Sequence, residues 1–330
     1  MQSRSLLVAI VGSLSCVLSS TALPGACQDP VANSVSVPTQ ILKTGINLTE
    51  HSVSSNGVQV SEIIGLTPVL NKLQDLRDRV SQTKGAAPTL ENLALRQDYT
   101  DAQMEARQII EQANLEVDYV LAEITAERNL YGEVLASLTS KRDRGVAISN
   151  ATSYYTNGVL WAVGEGFDIP TYRVPKYSIP SGTISILAGV VPSFFSLWAM
   201  HQYNGKKLNS EDDPNMLAKL FDYPTNREVD YPAAILAFLN TVPPDGPSKK
   251  SRKDQLIDRW ISDDNIHSFT DRKSKAQLDS ITAGSSQKKG LSIEVLGARQ
   301  DMLEQLSGEV MKMKRMLLEL SLAAKGDKTL

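Results

Sequence analysis

The sequence predicts a mainly α-helical protein: an elongated helical bundle or coiled coil with an apolar, small-residue helical hairpin in its middle. Three observations carry this. From Thr89 the chain runs without Gly or Pro to Gly132, with apolar residues at three-four spacing. Near the C-terminus Leu303, Leu306, Val310, Met313, Leu317 and Leu320 form a heptad stripe. Between the two, residues 145–205 carry charge only from Glu165 to Lys176, His201 aside. Their core, SGTISILAGVVPSFFSLWAM at 181–200, has the length that crosses a ~30 Å hydrocarbon layer as a helix.

Composition narrows the function classes. A chain of 330 residues supports one to three domains and a real core. A net charge of −3 offers no field for a polyanionic partner, so no nucleic-acid partner is expected. Residues 1–22 read as a secretory signal peptide: a basic MQSR start, an apolar run, and small residues up to Ala22. Of the two cysteines, Cys16 falls inside that peptide and Cys27 is left alone, which excludes a disulfide framework and Cys-pair zinc sites. Pro24, three before Cys27, stands where a lipoprotein signal needs an aliphatic residue.

Residues 23–66 read as a polar, flexible arm. Within it HSVSS-NG-VQVSE suggests a small β-hairpin turning at Asn56-Gly57. Helices then occupy 67–144. The first opens at Thr67-Pro68, with Thr67 as cap, and stops at Lys84-Gly85. The second, residues 89–144, is stripe-forming through Ala102, Ala106, Ala113, Val117, Val120 and Ile124, and its core alanines imply close helix approach. A helix of that length, ~80 Å, needs a partner along much of its course. The C-terminal helix, residues 291–324, has as its natural partner this helix or a second copy of itself.

The middle segment, 145–205, is the predicted hairpin. Small residues recur on one face of each half: Gly158, Ala162 and Gly166, then Gly182, Gly189, Ser193 and Ser196. That spacing lets helix backbones approach closely. Tyr154, Tyr155, Trp198 and Tyr203 are expected at one end and Tyr172 and Tyr177 at the other, as rings at two membrane interfaces would be. The tip, 168–180, repeats Ile169-Pro170, Val174-Pro175 and Ile179-Pro180, and residues before Pro favour extended geometry, so a stiff extended tip is expected. Pro192 should kink the second helix. Two readings stand side by side: a hairpin in a bilayer, or a hairpin buried in a soluble bundle. With an exported N-terminus, Lys141, Arg142, Arg144, Lys206 and Lys207 lie on the outer side, against the positive-inside tendency.

Residues 206–290 read as short helices and a basic linker. PNMLAKLF opens a helix at Pro214, and the turns Asp222-Tyr223-Pro224 and Asp230-Tyr231-Pro232 set the entry of AAILAFLN. Lys249, Lys250, Arg252 and Lys253 read as a solvated face. No catalytic constellation stands out. His51, His201 and His267 are far apart, and Asp263, Asp264, Asn265 and His267 fit a capped turn better than a metal site. No cofactor, metal or small-molecule substrate is expected. The expected function is that of an exported, envelope-associated scaffold, acting on protein partners or itself through coiled-coil helices and on a membrane through the hairpin. The alternative is a self-assembling pore or export component built from that hairpin; an enzyme is not expected.

Overall fold

The computed structural model describes residues 50–83, 85, 89–203, 208–210, 215–223, 230–267, 272–282 and 289–330. The predicted signal peptide, both cysteines and the predicted arm up to residue 49 lie outside the described residues, as do 204–207 and 211–214. Within them the chain is mainly α. The helices are α1 (Ser55–Ile63), α2 (Thr67–Gln82), α3 (Leu90–Asp168), α4 (Ser178–Tyr203), α5 (Ala233–Asn240), α6 (Arg252–Ser262), α7 (Arg272–Thr282) and α8 (Ile293–Lys325). A short antiparallel ribbon pairs β1 (Leu208–Ser210) with β2 (Lys289–Leu291).

The NG turn does not form. Asn56 and Gly57 lie in the first turn of α1, and Ser54 caps it by accepting from the Gly57 N–H at 3.1 Å. Tertiary contacts decide this: Val60 is fully buried, and the Asn56 amide is bonded on both sides, so a solvent-exposed turn has no place here. α2 begins at Thr67 itself, with Leu66 at the cap position and the Thr67 hydroxyl engaged with Ser61 at 2.7 Å. PNMLAKLF yields only a 3-10 turn at Ala218–Phe221, closed by Asp222 in the left-handed region.

α3 has 79 residues, about 120 Å at 1.5 Å per residue. Thr89 caps it by accepting from the Asn92 N–H. Neither Gly132 nor Gly145 interrupts it, so the predicted boundary near residue 144 is absent. Gly132 has a packing reason: a Cβ there would fall 2.9 Å from Gln300 Nε2, which donates to the Arg128 carbonyl.

α8 runs antiparallel to α3. Arg128 pairs with Glu304 at 3.0 Å, and Asp118, one stretch earlier on α3, pairs with Lys314, one stretch later on α8. Leu303, Leu306, Val310, Met313, Leu317 and Leu320 are all buried, every one but Leu317 fully. α8 is capped by Ser292, which accepts from the Val295 N–H, and ends at Gly326 in the left-handed region. Besides α3, it packs against α1, α2, α5, α6 and α7.

Three buried charges on α8 meet three different elements. Glu319 accepts from the Ser54 N–H and hydroxyl and from Lys328 Nζ at 2.8 Å, while Lys328 also donates to the Ser52 carbonyl. Glu309 faces the Arg252 guanidinium and pairs with Lys312. Arg299 lies over the Tyr131 ring and donates to the Ser280 carbonyl at 2.7 Å. Arg252, expected on a solvated face, is buried over Phe238, with bonds to Thr241 and Asn56. Burial of its stem and charge pushes its pKa down to about 10. Glu319→Ala leaves Lys328 buried without its carboxylate and is expected to destabilise the fold by ~3–5 kcal/mol. The paired change Glu319→Leu with Lys328→Met should recover most of that loss in urea unfolding.

Candidate functional site

Past Leu138 the α3 stripe loses α8 as its cover, and α4 takes over. Ser153 Oγ donates to the Pro192 carbonyl at 3.1 Å, and Ser181 Oγ reaches the Gly164 carbonyl and Asp168 at 3.4 Å. These bonds align α3 and α4 as an antiparallel hairpin. Pro192 stays inside α4, and its carbonyl also accepts from Ser196.

The seam is lined by small residues, but not by the expected ones. Ser149, Gly164, Ser181, Ala188 and Ala199 are buried. A Cβ on Gly164 would lie 3.5 Å from Ile184 and Ser185 side-chain atoms. Gly158, Ala162, Gly166, Gly182, Gly189, Ser193 and Ser196 all face outward. Around Gly158, Gly166, Gly182 and Gly189, nothing lies within 4 Å of where a Cβ would be. The cause is helix continuity. Steps of three and four from Leu138 along one unbroken helix lead to Ser149, Ser153 and Gly164, so the bundle's inward face becomes the hairpin seam.

The aromatics also separate. Tyr154 and Tyr155 are 78% and 72% exposed and stack edge to face. They sit ~20 Å from the tip end of α3, whereas Trp198 is ~30 Å along α4 from Ser178. They therefore do not form one girdle. Tyr172 and Tyr177 lie in the tip and Tyr203 ends α4. The tip is not extended: 3-10 turns at Ile169–Tyr172 and Pro175–Tyr177 fill it. Of the pre-proline residues, Val174 is extended and Ile169 is helical, while Ile179-Pro180 enters the first turn of α4, where Pro is tolerated.

The hairpin is bare. Ser178–Ala199 is long and apolar enough to cross a membrane, and little of it is buried. Ile186, Val190, Phe194, Leu197 and Trp198 are exposed on α4, and Val159, Trp161 and Val163 on α3. Among the described residues no bundle helix covers this surface, which sets aside a hairpin buried within this chain's own bundle. α3 is the more polar arm, with Asn150 exposed and Thr152, Thr156 and Asn157 half-buried.

Elsewhere the polar residues serve the fold. Asp263, Asp264, Asn265 and His267 form the turn after α6: Asp264 is left-handed, Asp263 accepts from Gln305, and the His267 N–H donates to Gln277. Among the described residues, Glu127 is the carboxylate moved closest to neutrality. Burial pushes its pKa up to about 7, partly opposed by the Met216 N–H that donates to it at 2.9 Å and by Arg299. It anchors the chain returning from the hairpin, and the buried Tyr231 hydroxyl donates to the Met216 carbonyl beside it. No sequence signal marks Glu127, one acidic residue among many on α3. No known protein family, curated protein or solved structure matches this chain.

A carboxyl held above its unfolded value binds its proton more tightly in the fold, so stability falls as pH rises from about 4.5 to about 7. Glu127→Gln keeps an acceptor for Met216 and should remove that fall, gaining ~1–3 kcal/mol at pH 8 in denaturant titrations. At the seam, Gly164→Leu should open the hairpin to hydrogen exchange along α4, while Gly158→Leu, facing open space, leaves exchange unchanged.

Proposed function

We propose that this chain is an exported, envelope-associated scaffold that docks on a lipid bilayer through the α3–α4 hairpin and acts by binding rather than catalysis. The observation that carries the proposal is the bare apolar surface of Ser178–Ala199. At 1.5 Å per residue that span is ~33 Å, matching a ~30 Å hydrocarbon core. Charged residues bound the uncharged arms at both ends: Lys141, Arg142 and Arg144 at the base, Glu165, Asp168, Arg173 and Lys176 at the tip. Lipid removes the cost of exposing so much apolar area to water. The α-helical bundle supplies a rigid stalk, with backbone hydrogen bonds satisfied inside each arm as a bilayer requires.

A second reading is a self-assembling pore. It is favoured by the polar residues of the α3 arm. A lone hairpin would leave Asn150 facing lipid, whereas an assembly can turn that side toward water.

Flotation of the full chain with lipid vesicles tests the docking. The protein is expected to rise with the vesicles, and a chain lacking residues 145–203 to stay behind. Val190→Arg places a charge near the middle of the α4 span, on an exposed side chain. It should weaken association ~100-fold, since such a charge costs ~2.5–3.5 kcal/mol at mid-membrane, without changing the bundle's thermal midpoint. Trp161 and Trp198 lie exposed on the hairpin and Trp260 is fully buried, so lipid-borne quenchers should dim the first two and spare the third. Equal flotation of wild type and Val190→Arg would sink the proposal.

A further inference from the structure

α3 carries two apolar stripes on opposite faces. One, from Ala102 to Leu138, is buried against the bundle. The other holds Leu93, Met104 and Leu115, eleven residues apart and hence in line on a helix with the polar Gln97, Gln108 and Glu111 between them, followed at three-four steps by Tyr119, Ala122, Ala126 and Leu130. Leu93, Met104, Leu115 and Leu130 are each more than half exposed. A bundle helix that only faces water is polar on that side. Beside this stripe, Met311 and Leu318 of α8 are also exposed, and Leu318 edges a groove of about 370 Å³ between α3 and α8.

We infer that this outer face of α3 is an interface with a second copy of the chain, packed parallel and in register. The area suits a partner of this size. From Leu93 to Leu130 is ~55 Å, which at a helix width of ~10 Å gives roughly 550 Å² per copy. The Met311 and Leu318 shoulder brings this toward the ~800 Å² per partner of a stable interface. Charge sets the direction. Asp98, Glu105 and Glu116 line one flank of the stripe. Arg96 and Arg107 line the other, on the α8 side, with Glu111 among them and Lys314 paired to Asp118, which leaves that flank net basic. In a parallel two-fold pair each acidic flank meets the partner's basic flank, as at the outer positions of parallel coiled coils. An antiparallel pair sets acid against acid. Parallel copies also bring both hairpins to the same end, yet the interface lies outside the hairpin and stands whether or not the hairpin enters lipid.

The test uses the full chain in mild detergent with Cys16 and Cys27 changed to Ser. Leu93→Cys and Leu130→Cys, each alone, are expected to form disulfide-linked dimers under mild oxidation. Sedimentation velocity should give a dimer that Leu115→Glu converts to half the mass with an unchanged thermal midpoint, the substituted side chain being exposed. Cross-linking only when the two cysteine variants are mixed would show an antiparallel pair and overturn the inference. So would a wild-type monomer at high micromolar concentration, or a dimer that Leu115→Glu leaves intact. Vesicle flotation of Leu115→Glu reads the membrane proposal separately.

Discussion

The bundle depends on α8 being enclosed on nearly every side while carrying charges. Glu319, Glu309 and Arg299 would each be costly inside the core without partners. Each is answered by a different element: the strand-like start at Ser52–Ser54 and the tail at Lys328, the α6 guanidinium of Arg252, and the α3 ring of Tyr131 with the α7 carbonyl of Ser280. Apolar contacts supply the driving force, but they are tolerant of sliding. The buried charges are not, because a shift of one residue along α8 leaves a carboxylate facing hydrocarbon. They therefore act as register pins between layers that come from distant parts of the sequence.

The second constraint is the unbroken course of α3. A helix transmits phase: once Ala102 to Leu138 point inward, the direction of every later side chain follows. The bundle thus decides which small residues meet α4. Ser149 and Gly164 are turned into the seam, and Gly158, Ala162 and Gly166 are turned out, although both sets have spacing suited to close packing. The same continuity makes the hairpin a rigid extension of the bundle rather than a separate tethered piece. Any force on the tip is carried by the backbone of one helix into the core around Glu127 and Met216.

Much of the α-helical plan was legible in the sequence. The long stripe after Thr89, the heptad after Ser292, the AAILAFLN helix and the apolar span of α4 rest on periodicity and capping, which are local properties. The Asn56-Gly57 turn misled because its strong local preference was outweighed by partners far along the chain, Asp245, Arg252 and Glu319. The Pro repeat at the tip misled in the opposite sense, since helical turns flanking Ile169 and Ile179 absorbed residues that prefer extended backbone.

By itself, then, the sequence determined most of the helical segments, α1 and the tip apart, and which stretch is the most apolar, because hydrophobic spacing and charge distribution are written along the chain. Only the tertiary structure decided the rotation of the hairpin helices, the burial of Arg252, Arg299, Glu309, Glu319 and Lys328, and the second bare face of α3. Those depend on which helix lies against which, and a charge or a glycine looks the same in sequence whether it faces a partner or the solvent.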